Sequence, residues 1–161
     1  DEAAAALGRK IDADTLEPVN LKLYQSGQTL PMSYAGTIFE AMRKVRALVG
    51  MAAKDFDLLL TPSLPSTARP HGEFSTTRED LSAEEYMKGD IRLFQYLGVF
   101  NVTGQPSVSL PLAEGADGLP IGIQLAAGLG DEALLVRIAR DLEEAMPWHT
   151  RLPTIHAGRS A

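Results

Sequence analysis

Few residues in this 161-residue chain are of a type and spacing that could do chemistry. The three histidines, His71, His149 and His156, never fall at metal-ligand spacing. His71 lies in a long Pro-rich stretch and could reach a site, whereas His149 and His156 sit in a polar tail. A solvated role fits each better than a ligand or a base. Carboxylates pair at Glu84/Glu85 and at Glu143/Glu144. Both pairs sit on amphipathic helical patterns, so a solvated face and helix capping account for them better than general acid–base work. Asp131 and Glu132 suit a helix N-terminus, where free amides favour negative charge.

Several catalytic types are excluded. There is no cysteine, so disulfides, Cys-zinc sites, iron–sulfur clusters and thiol nucleophiles are out. No G-x-S-x-G elbow occurs, and no phosphate-cradling G-x-x-x-x-G-K-[ST] or G-x-G-x-x-G. Fifteen basic against twenty-one acidic residues give a net charge of −6. That balance disfavours nucleic acid and anionic membranes, which need clustered positive charge. Only Arg92 lies near the aromatic cluster Phe94, Tyr96, Phe100, so base stacking has little support. No apolar run is long enough to span a bilayer. No metal or cofactor is expected, and the expected compartment is the cytoplasm.

Two stretches remain where chemistry could sit. One is the Pro-, Ser- and Thr-rich segment from Thr61 to Gly72. The other is Phe100 to Pro106, with hydrogen-bonding side chains at Asn101, Thr103 and Gln105. Ligand sites in α/β proteins favour loops at strand ends. Ordinary turn formation explains these residues equally well.

The elements that must position them follow from pattern. The alanine-rich start closed by Gly8 reads as the end of a helix begun upstream. The chain is therefore expected to be the C-terminal part of a longer protein, the alternative being a trimmed complete domain. A short helix is expected from Leu16 to Gly27, capped by Asp14 or Thr15, with Pro18 in its first turn. A longer one should run from Ser33 to about Lys54, with Ile38, Met42, Val45, Leu48, Val49 and Ala52 as its stripe. Phe56–Pro62 reads as a strand buried on both faces. A long loop follows to Asp80. Ser82-Ala83-Glu84-Glu85 is a capping box that opens a helix to about Gly98. Val99–Pro106 reads as irregular. Ser107–Leu112, stopped near Pro111, and Leu119–Ala127 form a hairpin around Glu114-Gly115-Ala116-Asp117-Gly118. Asp131 caps a last helix with a stripe of Leu134, Leu135, Ile138, Leu142 and Ala145, stopped by Pro147. A tail from Trp148 to Ala161 should be ordered only where it docks. The fold class is α/β. So little sheet predicts further strands from upstream, and a contiguous apolar surface where they belong.

Four segments carry a resemblance. Asp55-Phe56-Asp57-Leu58-Leu59-Leu60-Thr61-Pro62-Ser63 resembles the (F/Y)D-(L/V)-L-L-T-P-(T/S) segment of the amidase signature family. Phe100 to Pro111 resembles its F-N-x-(T/S)-G-x-P-(A/S)-(I/V)-(S/T)-(L/V)-P segment. Asp117 to Leu125 is similar to D-G-L-P-(I/V)-G-(I/V)-Q-(L/F). Gly130-Asp131-Glu132, Leu142-Glu143 and Pro147-Trp148 follow its terminal G-D-E, L-E and P-W. Order and spacing agree from about Asp55 to Pro153.

The resemblance implies the C-terminal part of a mixed β-sheet core covered by helices, with residues 1–161 belonging to a single amidase signature domain. It implies a serine hydrolase that cleaves amide bonds through a serine nucleophile, a second serine in a cis peptide and a lysine base, by way of an acyl-enzyme. This chain has no Ser-Ser dipeptide and no Gly-Ser-Ser-Gly segment. The resemblance therefore puts the whole triad upstream, assigns no catalytic residue here, and implies that this segment alone is inactive. In the family, the helix ahead of the Asn-containing segment lines the acyl channel. That points to Phe94, Leu97, Phe100 and Asn101 as substrate-binding, with Thr61, Pro62 and Ser63 near the entrance. The partners implied are a small-molecule amide and the missing N-terminal part of the chain, and a homodimer is left open. Two rivals stand beside this reading: the amidase-type component of a glutamyl-tRNA amidotransferase, and a non-catalytic binding or interaction module.

Overall fold

The computed structural model describes residues 2–153 and 155–158. Of the sequence expectations, Asp1 at the start, and Thr154, Arg159, Ser160 and Ala161 in the tail, lie outside the described residues. The chain is mixed α/β. In order it runs α1 (Glu2–Leu7), α2 (Pro18–Gln28), α3 (Ser33–Ala53), β1 (Leu58–Pro62), α4 (Ala83–Leu93), α5 (Gly98–Thr103), β2 (Ser107–Glu114), β3 (Pro120–Ala127) and α6 (Glu132–Ala145).

The strands form one antiparallel sheet in the order β1-β3-β2, with β3 central. The hairpin β2–β3 forms around Gly118, whose positive φ of 76° is open to glycine at little cost. Asp117 Oδ1 accepts from the Leu119 amide at 3.1 Å and steadies the turn. Opposite residues share a face, so the register defines two surfaces. On one, Leu58 meets Ala127, Leu60 meets Leu125, and Val108 and Leu110 meet Leu125 and Ile123. The α6 stripe packs there: Leu110, Leu125, Ala127 and Leu135 make the core, backed by Ile138, Ala139, Leu142 and Trp148. The other surface carries Leu59, Thr61 and Ser63 from β1, Gly122, Gln124 and Ala126 from β3, and Ser107 and Ser109 from β2.

Several expectations are corrected. β1 is an edge strand rather than one buried on both faces, and Leu60 is 67% exposed. Its outer edge has no neighbour among the described residues, so the burial a central strand requires is missing. The α2 cap is Glu17, not Asp14 or Thr15. Thr15 Oγ1 instead donates to the Lys10 carbonyl at 2.6 Å, closing a separate turn. The α4 helix stops at Leu93 rather than Gly98, and the irregular stretch contains α5. Phe94 leaves helical geometry (φ −100°, ψ 19°), and Gly98 then starts a new helix ended by Gly104 at φ 78°. Pro111 does not stop β2. A register shift between Leu110 and Ala113 absorbs it, and β2 runs on to Glu114. Asp131 sits at the α6 N-cap but accepts no capping hydrogen bond through its side chain.

The α3 helix spans the expected residues, yet none of its residues is buried. It is fastened to α5, where the Arg46 guanidinium donates to the Val102 carbonyl at 2.6 Å. Among the described residues no helix is long and apolar enough to cross a membrane.

Candidate functional site

The first of the two stretches and the lead-in to the second meet at Gln124. Its side chain is 2% exposed in the middle of the central strand. A buried amide must find partners, and Gln124 finds them on two different elements. Nε2 donates to Thr61 Oγ1 of β1 at 3.1 Å and to the carbonyl of Tyr96, between α4 and α5, at 3.0 Å. One side chain thus ties the Thr-Pro-Ser segment to the lead-in of the Phe-Asn segment. Just beyond Tyr96, Leu97 is half-buried at the α5 N-cap and Phe100 is buried within α5.

Beside this bridge lies a second polar contact. Ser63 is 9% exposed, and its Oγ lies 2.5 Å from Ser109 Oγ. The Ser63 amide donates to the Gly122 carbonyl at 2.8 Å, which continues the β1–β3 pairing one residue past the strand. A Cβ on Gly122 would stand 2.8 Å from Ser63 Oγ and 3.0 Å from Ser109 Oγ. The hydroxyls therefore meet directly over that glycine.

Not every expected residue joins. Pro62 is exposed and faces the α6 side, in register with Ile123. Phe94 is 40% exposed, and Asn101 is exposed on α5. Thr61 is bonded to Gln124, Ser63 lies on the same sheet surface, and Leu97 and Phe100 follow the bonded Tyr96 along the chain; Pro62 is on the opposite surface, and Phe94 and Asn101 are exposed. Sequence reasoning missed Gln124, Ser109 and Gly122 as site residues. Their signal was faint: one amide and one glycine on a strand otherwise built of apolar residues.

The loop after Ser63 is firmly held. Lys22 Nζ on α2 donates to the carbonyls of Glu79 and Leu81 at 2.6 and 2.7 Å. The Val19 amide donates to the Thr76 carbonyl at 3.0 Å. Arg69 pairs with Glu73 and Arg78 with Asp80. Hydrogen bonding from Arg69 holds the Glu73 carboxyl below its ordinary range, and Arg78 does the same for Asp80. The Phe74 ring rests on Gly89 of α4, with a ring carbon 3.1 Å from where a Cβ would stand. Between loop and helix lies a cleft of about 300 Å³ lined by Leu64, Thr67, Arg69, Phe74 and Leu93. His71 is exposed, and no cluster of potential metal ligands occurs among the described residues.

Residues 1–136 match the amidase family. This chain belongs to that family. Similarity to individual amidases covers nearly all of it. It is 29% identical over 153 residues to the 6-aminohexanoate-cyclic-dimer hydrolase of Paenarthrobacter ureafaciens, matching 92% of this chain and 31% of the relative. It is 36% identical over 110 residues to the putative amidase AmiC of Mycobacterium leprae, matching 66% of this chain and 22% of the relative. A solved structure of 6-aminohexanoate cyclic dimer hydrolase superposes with a TM-score of 0.83 at 28% identity, covering 94% of this chain and 32% of the other. The amidase fold expected from the four segments is thus the one observed. The chain spans about a third or less of the length of the relatives it matches.

Proposed function

We propose that this chain is the C-terminal portion of an amidase that hydrolyses carboxylic amides, and that it supplies scaffold and one wall of the substrate pocket. Family membership supports amide chemistry. The Gln124 bridge supports the pocket wall, because it draws Thr61, Ser63 and the Tyr96–Phe100 segment to one place while burying an amide that a purely structural strand would replace with an apolar residue. In this reading the nucleophilic serine, the cis-peptide serine and the lysine base belong to the part of the protein outside this sequence. The serine attacks the amide carbon, the lysine accepts its proton through the bridging serine and returns it to the amide nitrogen, the C–N bond breaks to release the amine, and water then resolves the acyl-enzyme. The wall described here holds the substrate beside that centre, and residues 1–161 alone are inactive.

The test is turnover by the complete protein on linear and cyclic aliphatic amides, with a fluorophosphonate to trap the reactive serine. Hydrolysis blocked by the trap, with the label outside residues 1–161, supports the reading. Labelling of a serine within this sequence, or turnover by this sequence alone, overturns it.

A further inference from the structure

β1 and β2 are not neighbours; β3 lies between them. Two strands flanking a third stand about 10 Å apart. Serine side chains are short, yet Ser63 and Ser109 touch across that gap. They can do so only because both lean over Gly122, where any Cβ would occupy the space between them. The glycine opens a notch, and the notch holds a pair of hydroxyls.

The pair is not chemically complete. Two hydroxyls bring two hydrogens and four lone pairs. Their mutual contact uses one hydrogen and one lone pair, and neither oxygen has another hydrogen-bond partner among the described residues. Ser63 is buried, whereas Ser109 is exposed. The unused donor and acceptors are therefore offered outward from Ser109. Around the pair this sheet surface is neutral, made of Leu59, Thr61, Ser63, Gly122, Gln124, Ala126, Ser107 and Ser109; its ionisable residue, Glu114, lies towards the hairpin end, opposite Pro120. A carboxylate would lose water there and meet no positive charge on this surface. A neutral group that both donates and accepts would be matched.

We propose that the Ser63–Ser109 pair, seated over Gly122, is a binding subsite for a neutral carboxamide, with Ser109 as the contacting hydroxyl and Ser63 as its positioning partner. The proposal rests on the amidase reading for the identity of the substrate class. It goes beyond that reading in assigning two hydroxyls and a glycine to ligand discrimination.

The experiment uses the complete protein with hexanamide and hexanoate as matched probes. Turnover of hexanamide gives KM and kcat, and equilibrium titration gives the affinity of each probe. Ser109→Ala removes one neutral hydrogen bond, so KM and the dissociation constant for hexanamide should rise about five- to tenfold. Binding of hexanoate should not change, and the melting temperature should fall modestly, because the buried Ser63 hydroxyl loses its partner. Ser109→Thr keeps a hydroxyl and should recover most of the affinity. Equal weakening of both probes, or a hexanamide change under about twofold with Ser109→Ala, overturns the subsite. Should Ser109→Ala not fold, Ser63→Ala is read by the same criteria. A complete protein without amide turnover would sink the amidase reading and not the subsite, which then stands or falls on the titration. Saturable hexanamide binding weakened by Ser109→Ala supports it, and no binding overturns it.

Discussion

The two surfaces of the three-stranded sheet follow different rules. Under α6 the contacts are apolar and interchangeable in kind: Leu110, Leu125 and Leu135 against Ile138 and Leu142. On the opposite surface the contacts are few, polar and individually specified: Gln124 to Thr61 and to Tyr96, Ser63 to Ser109. Burial of hydrocarbon is non-directional and tolerates swaps of similar volume. A buried amide tolerates almost none, because each lost partner leaves a desolvated group unpaired. The first surface is held by burial of hydrocarbon, and the second by matched polar partners.

That contrast can be broken most severely at Leu135. Leu135→Ala removes a buried side chain from the α6 interface and should lower the stability of the complete protein by about 2–5 kcal/mol, read by denaturant unfolding. Substrate affinity should survive in the fraction that remains folded. The reverse pattern is expected at Gln124. Gln124→Leu fills the volume but strands the Thr61 hydroxyl and the Tyr96 carbonyl, at about 1–3 kcal/mol. It should also raise KM by loosening the segment that carries Leu97 and Phe100. A Gln124→Leu variant with unaltered KM would remove the distinction between the surfaces. Gly122→Ala should cost about 1–3 kcal/mol as the new methyl forces the two hydroxyls apart. Adding Ser63→Ala removes the hydroxyl but leaves a Cβ 3.1 Å away, so the double variant should recover only part of the loss. Full recovery in a double-mutant cycle would place the strain solely in the oxygen contact.

The smallest effect lies away from both surfaces, at the α4 N-terminus. Ser82 Oγ accepts from the Glu85 amide, and the Glu85 carboxylate accepts from the Ser82 amide and hydroxyl. Those bonds hold the Glu85 carboxyl below its ordinary range. Its contribution is therefore complete above the unfolded value and fades as pH falls through the lowered one. Ser82→Ala should cost about 1 kcal/mol at neutral pH. The difference between variant and parent should shrink in strong acid, as followed by amide exchange along α4.

The capping box was legible because both partners lie within four residues. The hairpin was legible for a similar reason, since Asp117-Gly118 sets its turn and alternation sets its faces. The α5 helix was not. A six-residue helix owes its existence to packing against α3 and to the Arg46–Val102 bond, 56 positions apart in the chain. Gln124 could be noticed as a lone amide, but its partners could not, because the antiparallel pairing of β1 with β3 was unknown. Ser63 was singled out while Ser109 was not, for the same reason. Their meeting depends on strand order and on the missing side chain of a third residue. The Pro-rich loop read as a place where chemistry could sit, but its fastening by Lys22 and Val19, 57 positions away in the chain, could not be read from the sequence.

The outer margin of β2 has no strand beside it among the described residues. Such a margin is a template: any extended peptide, a second molecule included, can lay its own amides and carbonyls along it. Concentrating this polypeptide by itself therefore invites growth into larger species through hydrogen bonding rather than through loss of shape. Pro111, with no amide hydrogen to lend, already interrupts that row. A further proline near Ser107 would extend the same protection.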